Sequence, residues 1–226
     1  MSDDHGEPRS LTSAEALEAA YALETPDDNR ALYRDWASTY DSEFIDATGY
    51  AYARNVAEVF DRYADNAAPV LDIGCGTGGV GVALRALGRG PVDGIDISAE
   101  MMDVAATKTT EDGEPVYRTL SEADLTQRVP IDDGAYEAIV SAGTFTFGHL
   151  GPGPLDEVLR IAAPGAWLAI GVNADHFRED GFADRFEADV AAGSITPPVF
   201  VDVAVYAGDV GEHSDSRALI AVFQRR

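Results

Sequence analysis

The sequence predicts an α/β fold with a mostly parallel seven-stranded sheet, an antiparallel C-terminal hairpin and an N-terminal helical cap. Three observations carry this. Between residues 69 and 191, short apolar runs alternate with segments of helical period, the order that parallel strands and crossover helices require. A glycine-rich turn, Gly74-Cys75-Gly76-Thr77-Gly78-Gly79, joins the first apolar run to the first core helix. Beyond residue 199 the style changes to two β-rich runs, 200–206 and 217–223, separated by a polar loop over 208–216.

The elements follow in chain order. Residues 1–12 are polar and acidic and are expected to form a disordered tail. Ser13 caps an expected helix over 14–24, with Ala16, Leu17, Ala20 and Leu23 at helical spacing. Pro26 either ends that helix or opens the next, expected over 27–40, and a third is expected near 50–64. Together 13–66 form the expected cap and 67–226 the core, one domain overall. Strands are expected near 69–73, 92–96, 115–118, 135–141 and 166–172, and helices near 79–88, 99–107, 154–162 and 177–191. A chain of 226 residues is long enough to bury a full core of this kind.

Charge and cysteine usage narrow the function classes. Forty acids against sixteen bases give a net charge of −24, and Lys108 is the only lysine. Such a chain repels nucleic acid and anionic membrane surfaces, and no cluster of arginines offers a local exception. The N-terminus has no apolar run of the signal-peptide kind, and no stretch approaches the ~20 apolar residues of a membrane span. A soluble, cytoplasmic protein is expected, with no metal site and no obligate protein partner. Cys75 is the only cysteine, which rules out an internal disulfide, and its place inside the turn suits a space-filler better than a nucleophile.

The glycine turn lets a ligand lie on the backbone, because no Cβ stands in the way. Its spacing fits two cofactor classes. Gly74, Gly76 and Gly79 match the G-x-G-x-x-G pattern of dinucleotide sites, while Gly74, Gly76 and Gly78 match the acid-x-G-x-G-x-G pattern of S-adenosylmethionine sites. Asp72, two residues before the first glycine, is expected to face the ligand, unless it serves only to cap the turn. A carboxylate there would repel a pyrophosphate and attract an ammonium and a sulfonium, which favours S-adenosylmethionine. A second acid, Asp96, ends the next strand in Pro91-Val92-Asp93-Gly94-Ile95-Asp96-Ile97-Ser98. An acid at that distance accepts hydrogen bonds from both ribose hydroxyls, in either cofactor class. Ser98 caps the following helix, where Met101 or Met102 is expected to cover the adenine and the other to fill the core.

These residues, with Ala123-Asp124-Leu125 and Tyr136-Glu137-Ala138-Ile139-Val140-Ser141, make the chain resemble the class I S-adenosylmethionine-dependent methyltransferases, with their Rossmann-like fold. More narrowly, Ser141-Ala142-Gly143-Thr144-Phe145-Thr146-Phe147-Gly148-His149-Leu150-Gly151-Pro152 and Tyr33-Arg34-Asp35-Trp36-Ala37-Ser38-Thr39-Tyr40-Asp41 resemble the small methyltransferase-like group encoded in the Williams–Beuren region. The resemblance covers roughly residues 30 to 175. It implies that Asp72, Gly74, Cys75, Gly76 and Gly78 surround the methionine end of the cofactor, and that Asp96, Ile97 and Met101 surround the ribose and adenine. It further implies Asp124 on the adenine amino group, with Leu125 and Ser141 nearby, although Asp124 also suits a helix cap. From the cap, Tyr33, Trp36 and Tyr40 are expected to close over the cofactor, with Tyr40 at the sulfonium. Their i, i+3, i+7 spacing equally describes a packing stripe.

The loop after the fourth strand faces the transferable methyl in this family. It reads Ala142-Gly143-Thr144-Phe145, not the Asn/Asp-Pro-Pro-Tyr motif of enzymes that methylate nucleobases or glutamine. A small-molecule acceptor is therefore expected, with Phe145 and Phe147 as an apolar wall or as core aromatics. His149 is the catalytic candidate for proton removal, alongside Tyr40; His176 is a weaker alternative, and His5 and His213 are not expected to do chemistry. Positioning is expected to supply most of the acceleration of the in-line transfer. Two rivals remain open at this level. A nicotinamide-dependent oxidoreductase is disfavoured by Asp72 and by the lack of a Tyr-x-x-x-Lys pair, since Val104 stands four residues before Lys108. The other is a non-catalytic S-adenosylmethionine-binding partner protein, which an acceptor pocket blocked by Phe145 and Phe147 would favour.

Overall fold

A computed structural model describes residues 18–20, 23, 25–65, 68–208 and 213–226. The tail expected over 1–12 and most of the helix expected over 14–24 lie outside the described residues, although 18–20 are helical. Pro26 opens the next helix, α1 (Pro26–Trp36), whose cap is reciprocal: Thr25 and Asp28 each bond the other's backbone N–H. This helix stops at Trp36, four residues short of expectation. A wide helical segment of π type then runs over Tyr40–Asp46, so Tyr40 begins a separate element. Helix α2 (Tyr52–Tyr63) follows, and its Val56, Ala57, Val59 and Phe60 are buried in the core cluster that includes Val70 and Val140.

The core alternates as the sequence predicts: β1 (Val70–Ile73), α3 (Gly79–Ala86), β2 (Val92–Asp96), α4 (Ala99–Ala106), β3 (Tyr117–Glu122), β4 (Tyr136–Phe145), α5 (Leu155–Ile161) and β5 (Ala162–Asn173). The helix expected over 177–191 is two, α6 (Ala174–Glu179) and α7 (Phe182–Ala191), divided at Gly181 with φ 76°. Strands β6 (Val199–Ala204) and β7 (Arg217–Gln224) pair antiparallel, and β7 inserts between β6 and β5. The seven-stranded sheet runs β3-β2-β1-β4-β5-β7-β6, with every pair among the first five strands parallel.

Strand β1 explains why the site sits where it does. All four of its residues are buried, as a central parallel strand requires, and they alternate between two apolar clusters, one on each face of the sheet. Val70 joins Phe60, Leu84 and Val140 on one face, and Leu71 and Ile73 join Ile139, Leu155 and Leu168 on the other. Asp72 therefore points to the Val70 face. Strand order reverses direction at β1, with β2 on one side and β4 on the other. This is the crevice in which open α/β sheets bind ligands, beyond the carboxyl ends of the strands.

Candidate functional site

A cavity of about 380 Å³ opens at that crevice, beneath the cap. This falls in the ~300–1,000 Å³ range of small-molecule sites. Its floor comes from the glycine turn, β2, α4 and the loops after β2 and β3: Gly74, Gly76, Asp96, Ile97, Met101, Asp124 and Leu125. Tyr33, Trp36 and Tyr40 form the side toward the cap, and Phe44, Tyr50, Tyr52 and Tyr206 the far end.

The turn is shaped by its backbone. Gly74 and Cys75 both donate to the Ile95 carbonyl, at 2.8 and 3.1 Å, which folds the chain sharply against β2. Gly74 has φ 66°, and a Cβ there would run into the Thr144 hydroxyl, so only glycine fits. Gly76 donates its N–H to Asp96 Oδ2 at 2.8 Å, and Ser98 donates to Oδ1 at 2.9 Å. Burial pushes the Asp96 carboxyl above the usual carboxylate range, and the amides of Ser98, Gly76 and Ile97 pull it back. Each oxygen keeps a further lone pair, and the side chain lines the cavity. Met101 is buried on the floor, whereas Met102 packs in the core cluster of the α2–α4 face.

Asp124 closes an Asx turn, accepting from the Thr126 amide at 2.9 Å and the Thr126 hydroxyl at 2.6 Å. It lines the cavity as well, and no helix follows it, so the side chain closes a turn where a helix cap was expected. Its other oxygen lies 3.4 Å from Arg30 of α1, one of several ties between cap and core. Asn29 donates to the Gly148 carbonyl at 3.1 Å. Asp41, at the start of the π segment, accepts from Thr77 of the glycine turn at 2.6 Å and pairs with Lys108. The only lysine in the chain thus holds the cap to the core.

His149 lies 3.0 Å from the Phe147 carbonyl through Nδ1 and 2.8 Å from the Tyr33 hydroxyl through Nε2. A carbonyl can only accept, so Nδ1 carries the proton and Nε2 receives the Tyr33 O–H. Burial holds this imidazole below its ordinary range, so it is neutral at pH 7 with its basic nitrogen bonded to Tyr33. Tyr40 packs edge-on against Trp36 at 4.8 Å, and burial raises its phenol well above the usual value, so it acts as a neutral ring.

Several expected residues lie elsewhere. Asp72 does not line the cavity. It is fully buried beneath the turn, where Oδ2 accepts the Tyr117 hydroxyl at 2.7 Å, and Tyr117 in turn accepts the Gly81 N–H at 3.2 Å. The pleat turned it to the Val70 face, and desolvation pushes its carboxyl up to about 7. Cys75 and Gly78 also miss the cavity: the thiol fills space against Gly94, and Gly78 rests on Tyr117 at the start of α3. Ser141 is buried in mid-sheet and donates to the Ile73 carbonyl at 2.9 Å. Phe145 is a core ring against Phe182, and Phe147 packs on His176 at 4.8 Å, so neither walls the site. His176 is buried with Nε2 at 3.0 Å from the Leu150 carbonyl and has no place in the cavity lining. The apolar wall is built instead by Phe44, Tyr50, Tyr52 and Tyr206, which sequence spacing did not single out. Tyr50 and Tyr206 meet through an isolated β-bridge between segments more than 150 positions apart, a contact no local pattern encodes.

A glycine turn beside a strand-end carboxylate, at the reversal point of this seven-stranded sheet, is the arrangement of the class I methyltransferase fold, with its Rossmann-like core. Residues 70–165 match the family model described as a methyltransferase domain. Human methyltransferase-like protein 27 is 27% identical over 143 residues, covering 62% of this chain and 55% of the relative, so the chain spans about half that relative's length. Among solved structures, the [4+2]-cyclase SpnF superposes with a TM-score of 0.64 at 16% identity, over 90% of this chain and 97% of its own. A TehB-like SAM-dependent methyltransferase from Corynebacterium glutamicum gives 0.51 at 22% identity, over 89% and 98%. Domain and fold together imply S-adenosylmethionine as the cofactor. Among the described residues, no helix is long and apolar enough to cross a membrane.

Proposed function

We propose that this protein transfers a methyl group from S-adenosylmethionine to a small-molecule acceptor, and that it falls in the subgroup of methyltransferase-like protein 27. The observation that carries the reading is Asp96. Its carboxylate is already held by the Gly76 and Ser98 amides, with Ile97 beside them, and it lines a cavity of cofactor size. On this reading Asp96 holds the ribose, Asp124 and Leu125 border the adenine, Met101 covers a ring face, and Gly74 and Gly76 admit the methionine part. Tyr40 and Trp36 offer their ring faces to the sulfonium. Asp72 acts from beneath the turn through its field, and Cys75, Gly78 and Ser141 support the floor without touching the ligand. His149, neutral and bonded to Tyr33, takes up a proton through that hydroxyl when the acceptor carries one. Among the described residues, no lysine or arginine lines the cavity, which supports a small uncharged or cationic acceptor over nucleic acid. Phe145 and Phe147 leave the far end open, which supports turnover over cofactor binding alone.

The direct test is calorimetric titration with S-adenosylmethionine, S-adenosylhomocysteine and NADH. Binding of the first two alone is expected; binding of NADH alone would move the protein to the oxidoreductases. A second expectation concerns the cap. Asp41 and Lys108 have side chains about a third exposed, 35% and 31%. Solvent screening therefore keeps the stability cost of Asp41→Ala below about 1 kcal/mol. The same change frees the cap from the glycine turn, so the dissociation rate of S-adenosylhomocysteine in stopped-flow is expected to rise severalfold. An unchanged rate would mean that the cap does not retain the ligand.

A further inference from the structure

The far end of the cavity is a box of aromatic rings. Phe44 stands 5.5 Å from Tyr50 and 6.1 Å from Tyr206, and Tyr50 stands 5.8 Å from Tyr206 and 6.2 Å from Tyr52. The rings come from four separate elements: the π segment, the loop after it, the first residue of α2, and the stretch after β6. Around them the cavity carries no cationic side chain among the described residues, and its carboxylates, Asp96 and Asp124, belong to the adenosine end. An anionic acceptor would find no counter-charge here and would approach a chain of net charge −24. A cation finds the opposite: ring faces carry negative potential and attract ammonium groups most strongly where water is excluded. A neutral arene would gain the same apolar contact but nothing from that potential.

We propose that this box binds the acceptor as a small organic ammonium ion, so that the substrate class is amines. The proposal rests on the cofactor reading given above, and deepens it. An amine held here first gives one proton to His149 Nε2 through the Tyr33 hydroxyl. The freed nitrogen lone pair then forms the new N–C bond as the C–S bond breaks, its electron pair remaining on sulfur, and the product leaves as the N-methylammonium ion.

The test uses a matched series in which only charge changes: 2-phenylethylammonium, 2-phenylethanol and phenylacetate. Their binding at millimolar concentration is followed by saturation-transfer NMR and calorimetry, with and without S-adenosylhomocysteine. The ammonium ion is expected to bind roughly tenfold more tightly than the alcohol, the scale of a desolvated cation–π contact, with no binding of the carboxylate. Tyr206→Leu and Tyr50→Leu keep the apolar volume but remove a ring face, and are expected to lower ammonium affinity severalfold while S-adenosylhomocysteine still binds. Equal binding of ammonium and alcohol overturns the proposal, as does binding of the carboxylate or no binding of the ammonium ion. If S-adenosylhomocysteine fails to bind, the cofactor reading falls, while the order within the series still decides the nature of the box.

Discussion

Asp96→Ala is expected to weaken S-adenosylhomocysteine binding by at least about a hundredfold. A carboxylate that accepts two ribose hydroxyls makes two charge-assisted hydrogen bonds, each about 1.5–3 kcal/mol, or roughly two to four orders of magnitude together. The variant also releases the Gly76 and Ser98 amides, which Asp96 holds at 2.8 and 2.9 Å, so the turn itself loosens. A melting curve separates the two effects: loss of binding with a preserved transition marks the lost ribose contacts. Titration showing less than a tenfold loss would remove Asp96 from the ribose and with it the observation on which the functional reading stands.

Asp72→Asn is expected to change the pH dependence of stability more than any other single substitution in the core. Burial raises the native carboxyl from 3.8 to about 7, so between those values the folded protein binds a proton that the unfolded chain has lost. Stability from this group is complete below pH 4 and falls as pH rises toward 7 and beyond, since unfolding is favoured wherever the native state holds the extra proton. A shift of about three units corresponds to about 4 kcal/mol. Asparagine has no such titration. The difference in unfolding free energy between variant and parent should therefore move in the variant's favour by about that amount between pH 4 and pH 8, as measured by urea titration. Taking the difference cancels the repulsion among the many surface acids. A difference that stays flat with pH would mean that Asp72 is not desolvated as its complete burial implies. Above pH 7, where the native carboxyl is ionised, the same variant is expected to bind S-adenosylmethionine less tightly, because the neutral amide loses the field beneath the turn.

The parallel core was legible because its signal is local. β1, β2, β4 and β5 are buried runs, and α3 and α4 follow a glycine turn and a serine cap that operate within a few residues. β3 was misplaced by a few positions for a physical reason. It is an edge strand in which Tyr117 is buried and Leu120 half-buried, while Arg118, Thr119, Ser121 and Glu122 are exposed, so no apolar run marks it. Tyr33, Trp36 and Tyr40 fit one helical face, but the chain departs from α geometry after Trp36. The rings still meet, with Tyr33 and Tyr40 6.2 Å apart, because the cap packs on the core around them.

Within the site, the sequence alone marked the glycine turn, Asp96 and Asp124, since each belongs to a motif whose spacing sets its place beyond a strand end. It left Met101 and Met102 undecided, and read Tyr33, Trp36 and Tyr40 equally as ligand-facing or as a packing stripe. Tertiary structure alone decided which way Asp72 and Ser141 face, because the pleat and the neighbouring strands choose the side. It also decided that Phe145 and Phe147 are core, that His149 shares its basic nitrogen with Tyr33, and that Phe44, Tyr50, Tyr52 and Tyr206 converge. Those residues lie far apart along the chain, and only the packing of cap and hairpin onto one sheet brings them within reach of a single ligand.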